Sequence, residues 1–221
     1  MNDVCWYWSK LCKVKEEFKW GSDEQHKWHW KGDLMGAYKV KLGYELYLNL
    51  QSRKPLWTKI IWTRLATPRH SFTAWLLMQP KLLVNTGIAR YSKGIPIGCD
   101  LCNKEEETQE YLFFKCTYTQ QVWQNTTSWM KIQCTSTSLQ EWCEYLLQLI
   151  MPRVHKEIIY SMFTATIYHI WRTRHELKYQ VIPKGWKTTA HSIKGHTRQR
   201  VLFLAQHTKS YRKYKDIVMN R

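Results

Sequence analysis

Cys99 and Cys102 are separated by two residues, and Cys116 follows after thirteen more. A two-residue spacer lets both thiolates of such a pair face one ion, which suits the tetrahedral, sulfur-rich coordination of structural zinc. Spacing alone leaves two other readings open, a disulfide and chance placement among the seven cysteines of the chain. The odd cysteine count and the lack of a charged n-region followed by an apolar h-region argue for reduced thiols in a soluble, intracellular protein, nuclear or cytoplasmic. Three thiolates with a water would match a catalytic zinc in ligand count, but no His-x-Glu pairing precedes or lies among them and no other spaced general base accompanies them, so the expected role is structural.

Charge is the second chemical feature. Lys and Arg number 34 against 17 Asp and Glu, a formal +17 at neutral pH. Such a field attracts polyanions, and nucleic acid is the expected partner, because phosphate neutralisation releases condensed counterions without needing sequence preference. Membrane headgroups are the rival polyanion. No apolar run approaches the roughly 18 to 20 residues needed to span a bilayer, and no membrane partner is expected. Residues 152–221 hold fifteen Lys or Arg against three Asp or Glu, a net of +12. Within them Arg172, Arg174, Lys178, Arg198 and Arg200 are the candidate phosphate contacts, the alternative being a solvated helix face. His169 and His175 read as surface or core residues rather than ligands. Near the N-terminus Trp6, Trp8, Trp20, Trp28 and Trp30 interleave with lysines. Indoles so placed can stack on bases, although a small core edged by lysine stems is the favoured reading.

Catalytic machinery is not legible. Phosphoryl transfer with two metal ions needs paired carboxylates, whereas Asp3, Asp23, Asp33, Asp100 and Asp216 are scattered with no two adjacent. No polymerase, endonuclease or RNase H carboxylate set can be assembled, and neither a GxxxxGK[ST] loop nor a Gly-x-Ser-x-Gly elbow occurs. The chain is therefore read as non-catalytic.

The elements that must position these residues are mostly helical. Trp57, Ile60, Ile61, Arg64 and Leu65 predict a helix of roughly ten residues, and Pro68 opens a second that Pro80 stops. The two should pack as a hairpin. Gly87, Gly94 and Pro96 mark a helix fragment and loop leading into the first cysteine pair. Ser138 and Glu141 form a capping-box signature for a helix ending before Pro152. Val154, Ile158, Met162, Thr166 and Ile170 recur every four residues in a long helix that runs to about Tyr179 and is closed off by Pro183. The remainder is helical with an interruption at Gly195, and Tyr38, Val40, Leu42 and Tyr44 alternate as a short strand or helix start. The expected fold is mainly α, with short helices around a Cys-rich zinc-binding loop followed by a long basic helical tail. Its expected divisions are a Trp/Lys-rich segment at 1–50, a zinc-binding domain at 51–130 and a basic helical region at 131–221.

An ordered set of motifs carries a resemblance. It runs from Trp57-Thr-Lys-Ile-Ile-Trp62 and Pro68-Arg-His-Ser-Phe72-Thr-Ala-Trp75 through Thr86, Gly94-Ile95 and Cys99-Asp-Leu-Cys102. Glu107-Thr108, Leu112-Phe113-Phe114-Lys-Cys116 and Trp123 complete it. This series resembles the zinc-binding domain of reverse transcriptases of plant LINE-type retroelements. Flanking pieces, Cys5-Trp-Tyr-Trp8 and Gly36-Ala-Tyr38 upstream and Ala165 to Arg174 downstream, resemble the segments around that domain. The resemblance implies a Cys-Cys-His-Cys zinc knot, with catalytic domains lying upstream of such a region. Tyr111 stands where the histidine is expected, and a phenol with a pKa of about 10 is a poorer zinc ligand at neutral pH than imidazole. Water, Glu110 or a distant histidine could complete the set, or the metal could be lost and the segment held by Leu112, Phe113 and Phe114.

The function expected from all this is a nucleic-acid-binding accessory module derived from the C-terminal region of a non-LTR retrotransposon reverse transcriptase. The alternatives are a zinc-bearing protein–protein interaction adaptor and a non-functional retroelement fragment. Salt separates the first two, since phosphate binding weakens steeply with ionic strength and an apolar interface barely responds.

Overall fold

The computed structural model describes residues 20–22, 28–30, 55–92, 94–180 and 183–219, and the chain divides into two compact units, Met1–Pro55 and Leu56–Arg221. In the first unit the strands β1 (Trp20–Ser22) and β2 (Trp28–Trp30) pair antiparallel, with Trp20 opposite Trp30 and Ser22 opposite Trp28. The alternation at 38–44 and the side chains of the Trp/Lys-rich segment lie outside the described residues.

The second unit is helical. Its first helix, α1 (Thr58–Ile61), is a single turn rather than the expected ten residues. The chain departs at Trp62, with φ −96° and ψ 57°, and Thr63 Oγ1 accepts from Ala66 N at 3.2 Å, closing a turn that competes with helix extension. Ile60, Ile61 and Leu65 are nonetheless fully buried, so the apolar stripe faces the core without a continuous helix. The next helix, α2 (Pro68–Met78), begins on its proline as expected, and α3 (Asn85–Ile88) is one turn. Beyond the cysteine loop come α4 (Thr117–Met130) and α5 (Leu139–Gln148). The cap of α5 is as predicted on one side, with Ser138 Oγ accepting from Glu141 N at 3.2 Å. Glu141 Oε2 reaches Thr137 N at 3.1 Å rather than the cap residue itself.

The longest helix, α6 (Arg153–Gln180), and α7 (Trp186–His207) are followed by the short α8 (Lys209–Arg212) and α9 (Lys215–Met219). The interruption expected at Gly195 does not occur, since α7 runs through it. A glycine in a helix interior costs only about 1 kcal/mol relative to alanine, and burial of Ile193, Thr197, Val201 and Leu204 on the same helix offsets that.

These last helices are not a tail. Ile158, Ile159, Met162, Phe163, Ile167 and Ile170 of α6 are fully buried, and α6 packs against α1, α2, α4 and α7. The boundary expected between residues 130 and 131 thus falls inside one unit, whose core draws on both sides of it. At the centre Trp123 lies 4.4 Å from Trp142 and 5.6 Å from Phe163 between ring centroids, and its Nε1 donates to Phe113 O at 2.7 Å. Among the described residues, no helix is long and apolar enough to cross a membrane.

Where α2, α6 and α7 meet, three imidazoles cluster. His169 Nε2 and His196 Nδ1 are 2.9 Å apart, and the His70 ring centroid lies 5.7 Å from each of theirs. His70 Nε2 is buried with no hydrogen-bond partner. Burial, then the neighbouring imidazoles, then Arg69 and Arg200 hold His70 down to about 3. Burial, His196 and nearby Arg172, Arg69 and Lys184 hold His169 down to about 3 as well. Both rings are therefore neutral in the folded state, and the unfolded chain takes up their protons near 6.5. Their contribution to stability is complete above pH 6.5 and is lost as pH falls toward 3. Urea unfolding between pH 4 and 8 should show stability declining below about pH 6. His169→Gln should make that acid limb shallower by about 1.4 kcal/mol per pH unit; an unchanged slope would rule out a titrating role for the cluster.

Candidate metal centre

The cysteine loop is a tight hairpin. Gly98 and Glu106 form an antiparallel bridge, Cys99 N donates to Glu105 O at 2.8 Å, and Asn103 N donates back to Cys99 O at 2.8 Å. Asn103 sits at φ 54°, in the left-handed region where Asn is among the few non-glycine residues readily tolerated. Reversal there brings Cys102 back beside Cys99. The third cysteine arrives from a π-helical turn, Tyr111–Lys115, anchored by the buried Leu112, Phe113 and Phe114 and closed by Cys116 N donating to Tyr111 O at 2.8 Å. Cys116 then caps the start of α4.

The three sulfurs all lie within 4.8 Å of one another, with Cys99 Sγ donating to Cys116 Sγ at 3.8 Å. A tetrahedral zinc with Zn–S bonds of about 2.3 Å requires a sulfur–sulfur edge of about 3.8 Å. The hydrogen bond from Cys99, helped by the amides of Thr119 and Tyr118, pulls the Cys116 thiol below its ordinary value against the effect of burial. That same bond, and then burial, pushes Cys99 up, while the amides of Leu101 and Cys102 oppose the rise. Amides aimed at both sulfurs are the surroundings that thiolates need. The donor set fits a structural zinc ion, which would cross-link the hairpin to the start of α4.

The fourth position holds no histidine or carboxylate, since the metal-capable cluster among the described residues comprises the three cysteines alone. Glu110 pairs instead with Lys115 at 2.8 Å. Tyr111 Oη lies 3.3 Å from Cys102 Sγ, and that hydrogen bond, followed by burial, pushes the phenol up. His169 is committed to the imidazole cluster, and His175 is exposed, its ring centroid 4.6 Å from that of Tyr179 in a tilted contact.

A buried polar clamp joins this loop to α6. Glu107 is fully buried, and its Oε1 accepts from Asn85 N at 2.9 Å and from Arg174 Nη2 at 2.7 Å, while Oε2 accepts from Asp100 N at 3.2 Å. Arg174 Nη2 also donates to Asn85 Oδ1 at 2.8 Å, and its Nε lies 3.2 Å from Asp100 Oδ2. Asn85 Nδ2 donates to Gly98 O at 2.8 Å, and Lys178 reaches both Asn85 Oδ1 and Asp100 Oδ2. Position 107 was legible in the sequence only as one letter of a motif, and Asn85 carried no local signal at all.

The clamp corrects the expectation for Arg174, whose guanidinium is 1% exposed and so has no surface to offer a phosphate. The other four candidates are also tied into the fold. Arg172 pairs with Glu176 at 2.7 Å, and Lys178 is mostly buried in the clamp. Arg198 donates to Val218 O at 2.7 Å and lies over the Trp129 ring, and Arg200 donates to Leu65 O at 3.0 Å. A charge count registers cations without registering their partners.

Removing one member of a buried ion pair strands the other charge, at a cost of about 3 to 5 kcal/mol. Arg174→Met should therefore lower unfolding stability by that order and expose Cys99 to thiol reagents. Substituting Glu107→Leu in that background should recover part of the loss. Urea unfolding with thiol titration checks this, and a cost for Arg174→Met below about 1 kcal/mol, typical of an exposed pair, would show that the clamp is dispensable.

Comparison with known proteins gives one family. Residues 38–123 match the family described as zinc-binding in reverse transcriptase, a stretch covering the hairpin, the π-helical turn and all three clustered cysteines. No curated protein and no solved structure matches the chain. That stretch, less than half of the 221 residues, is similar to the zinc-binding domain of reverse transcriptases.

Proposed function

We propose that the chain is a non-catalytic nucleic-acid-binding accessory module, derived from the C-terminal region of a LINE-type, non-LTR retroelement reverse transcriptase. The family match supports a retroelement-derived zinc-binding region, and the scattered aspartates support the absence of a polymerase step. The observation that carries nucleic-acid binding is the charge left on the surface after internal pairing. Within residues 152–221, Glu157 is bonded to Arg153 and Tyr211, and Glu176 to Arg172 and Lys184. Lys187 is exposed on α7, Lys209 and Lys215 on the two short C-terminal helices, and Lys213 in the turn between them. Phosphates would be held there rather than by the clamped Arg174, and zinc would fix the geometry of the loop without entering a reaction.

A second reading, a protein-interaction adaptor, is favoured by exposed apolar side chains, Trp62 at 54%, Phe72 at 53% and Phe203 at 51%. The two readings separate in a salt titration. Single-stranded RNA or DNA binding should weaken linearly in log salt, and Lys209→Gln, Lys213→Gln and Lys215→Gln together should reduce the slope by about 2, from roughly 0.7 per lost contact. Absence of binding to either nucleic acid in dilute buffer would defeat the proposal, and salt-insensitive capture of a protein would favour the adaptor.

A further inference from the structure

Tyr111 stands first in the π-helical turn that ends at Cys116, and its backbone carbonyl accepts the Cys116 amide at 2.8 Å. Side chains 111 and 116 are thereby delivered to the metal cluster by one turn of chain. The phenol oxygen is 3.3 Å from Cys102 Sγ. In a tetrahedral zinc site with Zn–O of about 2.0 Å and Zn–S of about 2.3 Å, the oxygen–sulfur edge is about 3.5 Å. The rival donor Glu110 is turned away onto Lys115, and no other imidazole or carboxylate joins the cluster among the described residues.

We propose that the phenol oxygen of Tyr111 is the fourth zinc donor, giving a closed site of three sulfurs and one oxygen from Cys99, Cys102, Cys116 and Tyr111. Forming the zinc–oxygen bond breaks the phenol O–H bond, and the proton passes to solvent. The added negative charge falls where amides of Leu101, Cys102, Tyr118 and Thr119 already face the sulfurs. A neutral imidazole loses no proton on binding, so Tyr111→His should bind zinc more tightly than the natural chain. Tyr111→Phe should bind at least about tenfold more weakly and should leave a coordination position open to solvent.

The test uses the full chain loaded with cobalt(II) in place of zinc, with the visible spectrum as readout and added imidazole as probe. The natural chain should give a four-coordinate spectrum that imidazole does not alter, whereas the Tyr111→Phe spectrum should shift as imidazole enters the vacated position. Zinc affinities from chelator competition should rank Tyr111→His above the natural chain and that above Tyr111→Phe. If imidazole shifts the natural chain's spectrum, or leaves Tyr111→Phe unchanged, the phenol is not a ligand and the three-thiolate site stands without it. If the natural chain binds neither cobalt nor zinc, the metal centre itself falls along with Tyr111's role. Circular dichroism reports whether Tyr111→Phe folds, and the natural chain's response to imidazole decides the matter even if it does not.

Discussion

A carboxylate and a guanidinium taken out of water face a desolvation penalty of several kcal/mol each, which is repaid only if nearly every lone pair and N–H finds a partner. Glu107 and Arg174 meet that condition together with Asn85, Asp100 and Lys178. Because those partners come from α3, the cysteine hairpin and α6, satisfying the two charges fixes three parts of the chain at once. The hairpin has little apolar surface of its own to bury, as Asn103, Lys104, Glu105 and Glu106 are exposed. Its position therefore depends on polar geometry to a degree that the helical core does not.

The same loop also has to gather sulfur charge. Backbone amides do this at both ends, those of Leu101 and Cys102 at Cys99 and those of Tyr118 and Thr119 at Cys116. The latter pair belongs to the first turn of α4, where unsatisfied N–H groups and the helix dipole favour a negative group. The π-helical turn just before it sets how Tyr111 and Cys116 share the cluster, and the buried Leu112, Phe113 and Phe114 hold that turn on the core. Such widened turns are uncommon and frequently occur at functional sites.

Charge in the C-terminal third serves two ends. Some of its cations are structural ties, with Arg198 holding Val218 and Arg200 holding the chain after α1. Others, such as Lys209, Lys213 and Lys215, stay exposed and keep the surface positive. Net charge measures the sum of both groups, so it speaks to partners only after the first group has been subtracted.

Local chemistry was legible in the residues themselves. Periodicity gave α6, proline gave the start of α2, the Ser138–Glu141 spacing gave the cap of α5, and the two-residue spacing of Cys99 and Cys102 gave one pair of the three clustered sulfurs, since each depends on neighbours within a few positions. What depends on distant partners was not legible. The pairing of Glu107 with Arg174 spans 67 positions, and that of Asn85 with Arg174 spans 89. Whether a cation faces solvent or a carboxylate, and whether Tyr111 reaches the sulfurs, is decided by how the helices pack, because burial and hydrogen bonding are properties of the assembled chain and of no single segment.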